Sequence, residues 1–176
     1  EIFPISLDGK VCVDIGASTG GFTDCMLQHG AKKVYAIDVG TGQLHPSLVE
    51  DDRVVNMEKT NIRSLTGLPE EIQFASTDVS FISLKLVLPV IQLLLPIGGE
   101  AVVLVKPQFE AGKGAVGKNG VVKDPKTHLQ VLRSVKGYAL ENGFALKGAG
   151  FSPIRGPEGN IEYFYWLQRG EDQGSV

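Results

Sequence analysis

Cysteine is scarce in this chain: Cys12 and Cys25 are the only two among 176 residues. Two thiols make neither a disulfide framework nor a metal-ligand spacing, so both are expected to be buried and reduced. A long apolar run is also missing. The longest, Leu84 to Ile97, contains Lys85, Gln92 and two prolines, and is too short and too interrupted to span a bilayer. The first residues, Glu1-Ile-Phe-Pro4, lack the basic segment and apolar run of a secretory signal. These absences exclude a spanning protein and predict a cytoplasmic one. There is no internal repeat. An excess of positive charge is absent overall, since the formal net charge is −3.

That charge is unevenly spread. From Lys106 to Arg155 there are nine Lys or Arg and three acids, so this segment is +6 and the remainder −9. Such asymmetry marks a candidate phosphate-facing surface, with Lys113, Lys118, Lys123 and Arg155 as its candidate cations. Hydrophobic residues make up 43% and charged ones 21%, ordinary for a globular chain with an ample core. The length predicts one domain, residues 1–176, with a polar tail from Gly170 to Val176 that is expected to fray.

The most informative stretch is Val11-Cys-Val-Asp-Ile-Gly-Ala-Ser-Thr-Gly-Gly-Phe22. Val11 to Ile15 reads as a buried strand, Gly16, Gly20 and Gly21 as a tight turn, and Phe22 to His29 as a helix. A strand passing through a glycine turn into a helix brings backbone N–H groups to the carboxyl edge of a parallel sheet. The following strand, Lys33 to Asp38, ends in an acid 22 residues after Gly16, where nucleotide-type folds hold ribose hydroxyls. The spacing is not G-x-G-x-x-G, because Ser18 stands where dinucleotide enzymes need glycine. Three readings are open at this point: a plain βα turn capped by Asp14, a dinucleotide site of an NAD-dependent oxidoreductase, and a site for S-adenosylmethionine. An acid two residues before the first glycine suits the last, which carries an amino group and a sulfonium but no phosphate.

Further along, Val54 to Asn56 reads as a third strand, Asn61 to Leu65 as a loop or short helix, and Glu71 to Asp78 as a fourth strand. Leu84 to Leu95 is an apolar helix stopped by Pro96-Ile-Gly-Gly99. Glu100 to Lys106 is almost wholly apolar, hence a central strand, and Pro107 ends it. Ala111 to Asn119 is a glycine-rich loop. Pro125 to Asn142 reads as a helix with Leu129, Leu132, Val135, Tyr138 and Ala139 on one face. Phe144 to Phe151 and Ile161 to Gln168 are the last two strands, joined by a Pro/Gly loop without a helix and therefore antiparallel. The predicted fold is α/β: a Rossmann-like, seven-stranded and mostly parallel sheet with one reversed strand and helices on both faces, which resembles the class I methyltransferase architecture and so implies the strand order 3-2-1-4-5-7-6.

Gly112-Lys-Gly-Ala-Val-Gly117-Lys118 fits G-x-x-x-x-G-K, but Asn119 follows in place of the magnesium-binding Ser or Thr. Gly120-Val-Val-Lys-Asp-Pro125 cannot begin a helix at once. The segment is expected to be a basic substrate loop rather than an NTP site.

The predicted topology gathers Asp78, at the end of the fourth strand, Lys106, at the end of the fifth, and Glu162, at the start of the seventh, beside the turn at Gly16. Adjacent strands stand about 5 Å apart. Charges of alternating sign at such an edge read as a reaction centre, with a structural ion-pair network as the alternative.

The motifs DIGASTGGFTD, TDVSFISL, LVKPQFEAG and GPEGNIEYF resemble those of the TlyA-type, hemolysin A-like proteins. These are FtsJ-like ribose 2′-O-methyltransferases of ribosomal RNA, and the resemblance covers nearly the whole chain. It implies S-adenosylmethionine as cofactor, ribosomal RNA or a ribosomal subunit as partner, and neither a metal nor a membrane. The expected cofactor set is Asp14, Gly16, Ala17, Ser18, Thr19, Gly20, Gly21, Phe22, Asp38, Val39, Asn61, Asp78, Val79 and Ser80. The family's Lys-Asp-Lys-Glu tetrad maps its Asp onto Asp78, its second Lys onto Lys106 and its Glu onto Glu162, with Glu158 as a less fitting competitor. Lys106 is then the candidate base or oxyanion stabiliser, chiefly oriented by the two carboxylates.

The first tetrad lysine lies, in the family, upstream of the first strand near an S4-like domain. It has no counterpart here, Lys10 being too close to Val11. The expectation is a catalytic domain lacking that part, or else a cofactor- and RNA-binding module inactive in this form. A membrane-acting lysin is the reading that the family's other name suggests, and nothing in the sequence supports it.

Overall fold

The computed structural model describes residues 4–112, 116–117, 120–152 and 159–170. Seven strands form one sheet in the order β3-β2-β1-β4-β5-β7-β6. They are β1 (Val11–Ile15), β2 (Lys33–Ile37), β3 (Val54–Met57), β4 (Phe74–Thr77), β5 (Glu100–Val105), β6 (Phe144–Phe151) and β7 (Tyr163–Arg169). The first five run parallel, and β7 pairs antiparallel with both β5 and β6. The expected order and the single reversal are therefore present. The helices are α1 (Gly21–Gln28), α2 (Pro46–Val49), α3 (Leu84–Leu94), α4 (Pro107–Glu110) and α5 (Pro125–Glu141), with a 3-10 turn at Ile62–Ser64. The short α2 and α4 are absent from the sequence reading, which took Pro107 only as a strand stop. Pro46 and Pro107 each stand in the first turn of these helices, where a missing N–H is no loss.

Alternation along the strands feeds two cores. Val11, Val13 and Ile15 of β1 join α3 and α5 residues such as Leu88, Ile91, Val131 and Val135 on one face. Cys12 of the same strand joins Met26 and Leu27 of α1 and Leu48 of α2 on the other. Leu88 and Ile91 are fully buried, each worth about 1.5–3 kcal/mol of apolar transfer. The sheet is thus covered on both faces, as a parallel sheet requires.

One expectation fails. Cys12 is buried, and burial pushes its thiol up to about 12, but Cys25 is exposed. In the eight-residue α1 the buried side chains are Thr23, Met26 and Leu27, and Cys25 falls on the outer side. The sequence gap between β1 and β2 is too small for a longer helix with a wider buried stripe.

Register fixes the working edge. Ile15 lies beside Ile37 and Thr77, Thr77 beside Val103, and Val105 beside Tyr163. The residues immediately beyond these pairs are Gly16, Asp38, Asp78, Lys106 and, before β7, Glu162. All emerge on one rim.

Candidate active site at the carboxyl edge of the sheet

The turn after β1 is held by backbone. Gly16 and Ala17 both donate N–H to the Ile37 carbonyl, at 2.9 and 3.0 Å, and His45 donates to the Thr19 carbonyl at 3.0 Å. Gly16 has φ +78°, and a Cβ there would lie 2.1 Å from the Asp78 carbonyl oxygen. No other residue fits against β4 so closely. Ser18 is also left-handed, at φ 53°, and donates its N–H to Asp38 Oδ2 at 2.7 Å. Asp38 Oδ1 accepts from Gly40 N–H at 2.9 Å. Asp38 thus ties the glycine turn to the loop after β2. Thr60 N–H reaches the Asp38 carbonyl at 2.9 Å, which brings in Asn61, whose side chain caps the 3-10 turn through Arg63 N–H at 3.0 Å. Val39 stands 72% exposed beside them.

Asp14 lies beneath this turn. It is fully buried; Thr23 Oγ1 donates to its Oδ2 at 2.7 Å and Ser76 Oγ to its Oδ1 at 3.2 Å. Burial lifts its carboxyl to about 6, with the Asp78 charge adding to the lift and the hydroxyl donors opposing it. Its visible work is to bind β1, β4 and α1 together. From the sequence Asp14 reads as a turn cap or as an acid facing a ligand; its partners Thr23 and Ser76, on other elements, are not legible there.

Beyond β4 and β5 the two motifs interlock. Lys106, 9% exposed, forms an ion pair with Asp78 and donates to Ser80 Oγ at 3.3 Å. Its Nζ sits 5.9 Å from the centre of the Phe109 ring. Phe109 in turn packs against Phe81, ring centres 4.8 Å apart. Phe81 is 89% exposed on a left-handed backbone, φ 63°. Glu110 closes the arrangement: it accepts from Ser83 Oγ at 2.6 Å and from Leu84 N–H at 2.7 Å. Burial pushes the Glu110 carboxyl up, against those two donors. Phe81, Phe109 and Glu110 escaped the sequence reading, although Pro107 directly after a strand-ending lysine was a legible helix start.

Glu162 departs from the expected triple. It is 6% exposed and lies at the same rim, but it makes no ion pair with Lys106. Its carboxylate accepts from Gln108 Nε2 at 2.7 Å. Asp78 and Lys106 are brought into contact, whereas Glu162 is linked to α4 through an amide. Nearby, Asn160 accepts from Val122 N–H at 3.0 Å and donates to the Gly120 carbonyl at 2.9 Å. His128 accepts from the Tyr163 hydroxyl at 2.8 Å and donates to the Val122 carbonyl at 2.7 Å. These bonds anchor the end of the basic loop beside Glu162. Lys123 is exposed just beyond. Lys113, Lys118, Arg155 and Glu158 lie outside the described residues, as does most of the apparent phosphate loop. The helix that follows it starts at Pro125, too late for an NTP site. Among the described residues no helix is long and apolar enough to cross a membrane.

Comparison with known proteins gives a consistent result. The FtsJ-like methyltransferase family matches residues 1–169. A Bacillus subtilis protein named "Putative rRNA methyltransferase YqxC" is 51% identical over 97% of this chain and 63% of its own length. The 16S/23S rRNA (cytidine-2′-O)-methyltransferase TlyA of Mycobacterium tuberculosis is 46% identical over 98% of this chain and 65% of its own. A solved structure titled "Putative hemolysin from Streptococcus thermophilus" superposes with a TM-score of 0.92 at 50% identity, covering 97% of this chain and 62% of that one. The chain therefore spans just under two thirds of the length of these relatives.

Proposed function

This chain belongs to the FtsJ-like methyltransferase family, and from that premise we propose that it is the S-adenosylmethionine-dependent domain of an enzyme that methylates ribose 2′-hydroxyls in ribosomal RNA. The observation that carries the proposal is Lys106, a nearly buried ammonium held by Asp78 and Ser80 at the rim beside Gly16. A buried cation is costly to maintain unless it is paired and used.

The residues of the turn fit such a cofactor. Acceptors dominate there, namely Asp38, Asp78 and, below them, Asp14, which suits a ligand bearing an ammonium and a sulfonium better than a diphosphate. When bound, the cofactor supplies an electrophilic methyl group. Asp38 keeps lone pairs for ribose hydroxyls beyond its two backbone bonds. Thr19 and the open start of α1, which has no side-chain cap, offer backbone N–H groups to a carboxylate. Lys106 stands where negative charge develops on the attacking oxygen and stabilises it electrostatically. Asp78 and Ser80 hold its Nζ in place, and alignment of the hydroxyl with the methyl contributes the rest. Lys123, with Lys113, Lys118 and Arg155, supplies cations for the phosphate backbone. Activity on ribosomal RNA implies action in the cytoplasm.

The test is transfer of labelled methyl from S-adenosylmethionine to ribosomal subunits by the full-length protein, followed by identification of 2′-O-methyl nucleotides. Lys106→Ala is expected to abolish transfer while cofactor affinity stays within a few-fold. Transfer at the wild-type rate by Lys106→Ala removes this lysine from the mechanism. Cofactor and RNA binding without any transfer by the wild-type protein returns the chain to a binding module.

A further inference from the structure

We propose that Gln108 is a positioning residue of the methyl-transfer site, acting on Glu162; this rests on the function proposed above. Gln108 lies two residues beyond Lys106, in the first turn of α4. Strand β5 stands between β4 and β7. Lys106 is paired with Asp78 on the β4 side, and Gln108 with Glu162 on the β7 side. The N-cap and first turn of one short helix thus engage two of the rim carboxylates, Asp78 and Glu162.

The orientation of the Gln108 amide is forced. Nε2 donates to Glu162 Oε2 at 2.7 Å; turned over, the amide would set its carbonyl oxygen against a carboxylate, acceptor against acceptor. With that bond made, Oε1 is buried and has no hydrogen-bond partner among the described residues, in a residue only 9% exposed. The amide is thus held by its single bond to Glu162, a charge-assisted bond to a buried carboxylate. Glu162 is 6% exposed and forms no ion pair with Lys106. Its carboxylate direction is set by a neutral amide, which fixes it without neutralising it.

Gln108→Met in the full-length protein separates this role from a packing role. Melting temperature is expected to fall, because the buried Glu162 carboxylate loses its amide donor. With labelled S-adenosylmethionine and ribosomal subunits, kcat is expected to fall at least about tenfold while KM and cofactor affinity stay within about threefold. A kcat within about twofold of wild type overturns the proposal, as does a loss of rate that is accounted for by a raised KM or weakened cofactor binding. If the wild-type protein transfers no methyl group, the function proposed above has failed, and a readout without turnover decides the Gln108–Glu162 link. Exchange of the Gln108 side-chain amide hydrogens, followed by 15N NMR, is expected to be slow and to accelerate at least about tenfold in Glu162→Ala. Fast exchange in the wild type, or no acceleration, overturns the link.

Discussion

Asp14 and Gly16 sit two positions apart and fail in opposite ways when changed. Asp14 is fully buried, and burial raises its carboxyl from 3.8 to about 6. A carboxyl raised on folding binds its proton more tightly in the native state. Its stabilising contribution is complete below pH 3.8 and is lost as pH rises through about 6. Asp14→Asn keeps the shape and can still bond Thr23 and Ser76, but does not ionise. Relative to wild type, this variant is expected to gain on the order of 2–3 kcal/mol between pH 4 and pH 8, measured by urea unfolding at each pH. Parallel pH profiles would remove Asp14 as the titrating group. Gly16→Ala forces a Cβ to within 2.1 Å of the Asp78 carbonyl at φ +78°. It is expected to lower stability by at least about 2 kcal/mol and to weaken cofactor binding, since Asp78 must shift. Calorimetry and chemical unfolding check both. An unperturbed midpoint would mean that the turn can open without cost.

Helix α4 is four residues long and too short to stand alone, yet it organises the rim. Its residues reach β4's loop, the start of α3 and Glu162, through Phe109, Glu110 and Gln108 respectively. Glu110 acts as a cap supplied from outside the helix it caps, in addition to the Ser83 side chain that accepts from Lys85 N–H at 3.1 Å. Glu110→Ala is expected to lower stability by about 1–2 kcal/mol, because Leu84 N–H loses its acceptor in a partly buried place. Faster amide exchange at Leu84 is the local signature to measure. If the unfolding midpoint stays in place, Ser83 alone suffices as the cap. The same variant is expected to loosen the segment from Asp78 to Ser83, so methyl transfer is expected to fall even though the Glu110 carboxylate bonds to neither the Lys106 ammonium nor Glu162.

The charge of the chain divides along the same line as its chemistry. The +6 segment begins at Lys106, the rim lysine, and its loop is anchored beside Glu162 by Asn160 and His128. The acidic remainder contains the turn and its three carboxylates. On the proposed function, a cationic cofactor and an anionic polymer would meet adjoining parts of one edge. Lys113→Ala combined with Lys118→Ala is expected to weaken RNA binding and flatten its salt dependence. Each lost phosphate contact reduces the slope of log K against log salt by about 0.9 for duplex and about 0.7 for single-stranded RNA. Filter binding across a salt series measures this, and an unchanged slope would make the loop a connector only.

Much of this architecture was legible before any coordinates. Alternating strands and helices, followed by two strands without a helix between them, dictate which strands run parallel and which one is reversed, because a parallel crossover needs a helix-length connection and a hairpin does not; the order of the strands came from the likeness to class I methyltransferases. Strand ends place Asp38, Asp78, Lys106 and Glu162 on one rim by register alone. Side-chain partnership was not legible. That Asp14 is engaged by Thr23 and Ser76, that Lys106 takes Asp78 but not Glu162, and that Glu162 takes Gln108 across 54 residues depend on rotamers and on the angle at which α4 leaves β5. Periodicity reports which face a residue occupies and says nothing of those angles. Cys25 and Phe81 show the same division. Apolar character predicts burial on average, but the eight-residue α1 leaves the one on its outer side, and a left-handed backbone turns the other out at the rim. Hydrophobic pattern and chain connectivity specify a sheet; the contacts that make its edge a site arise only where separate elements meet.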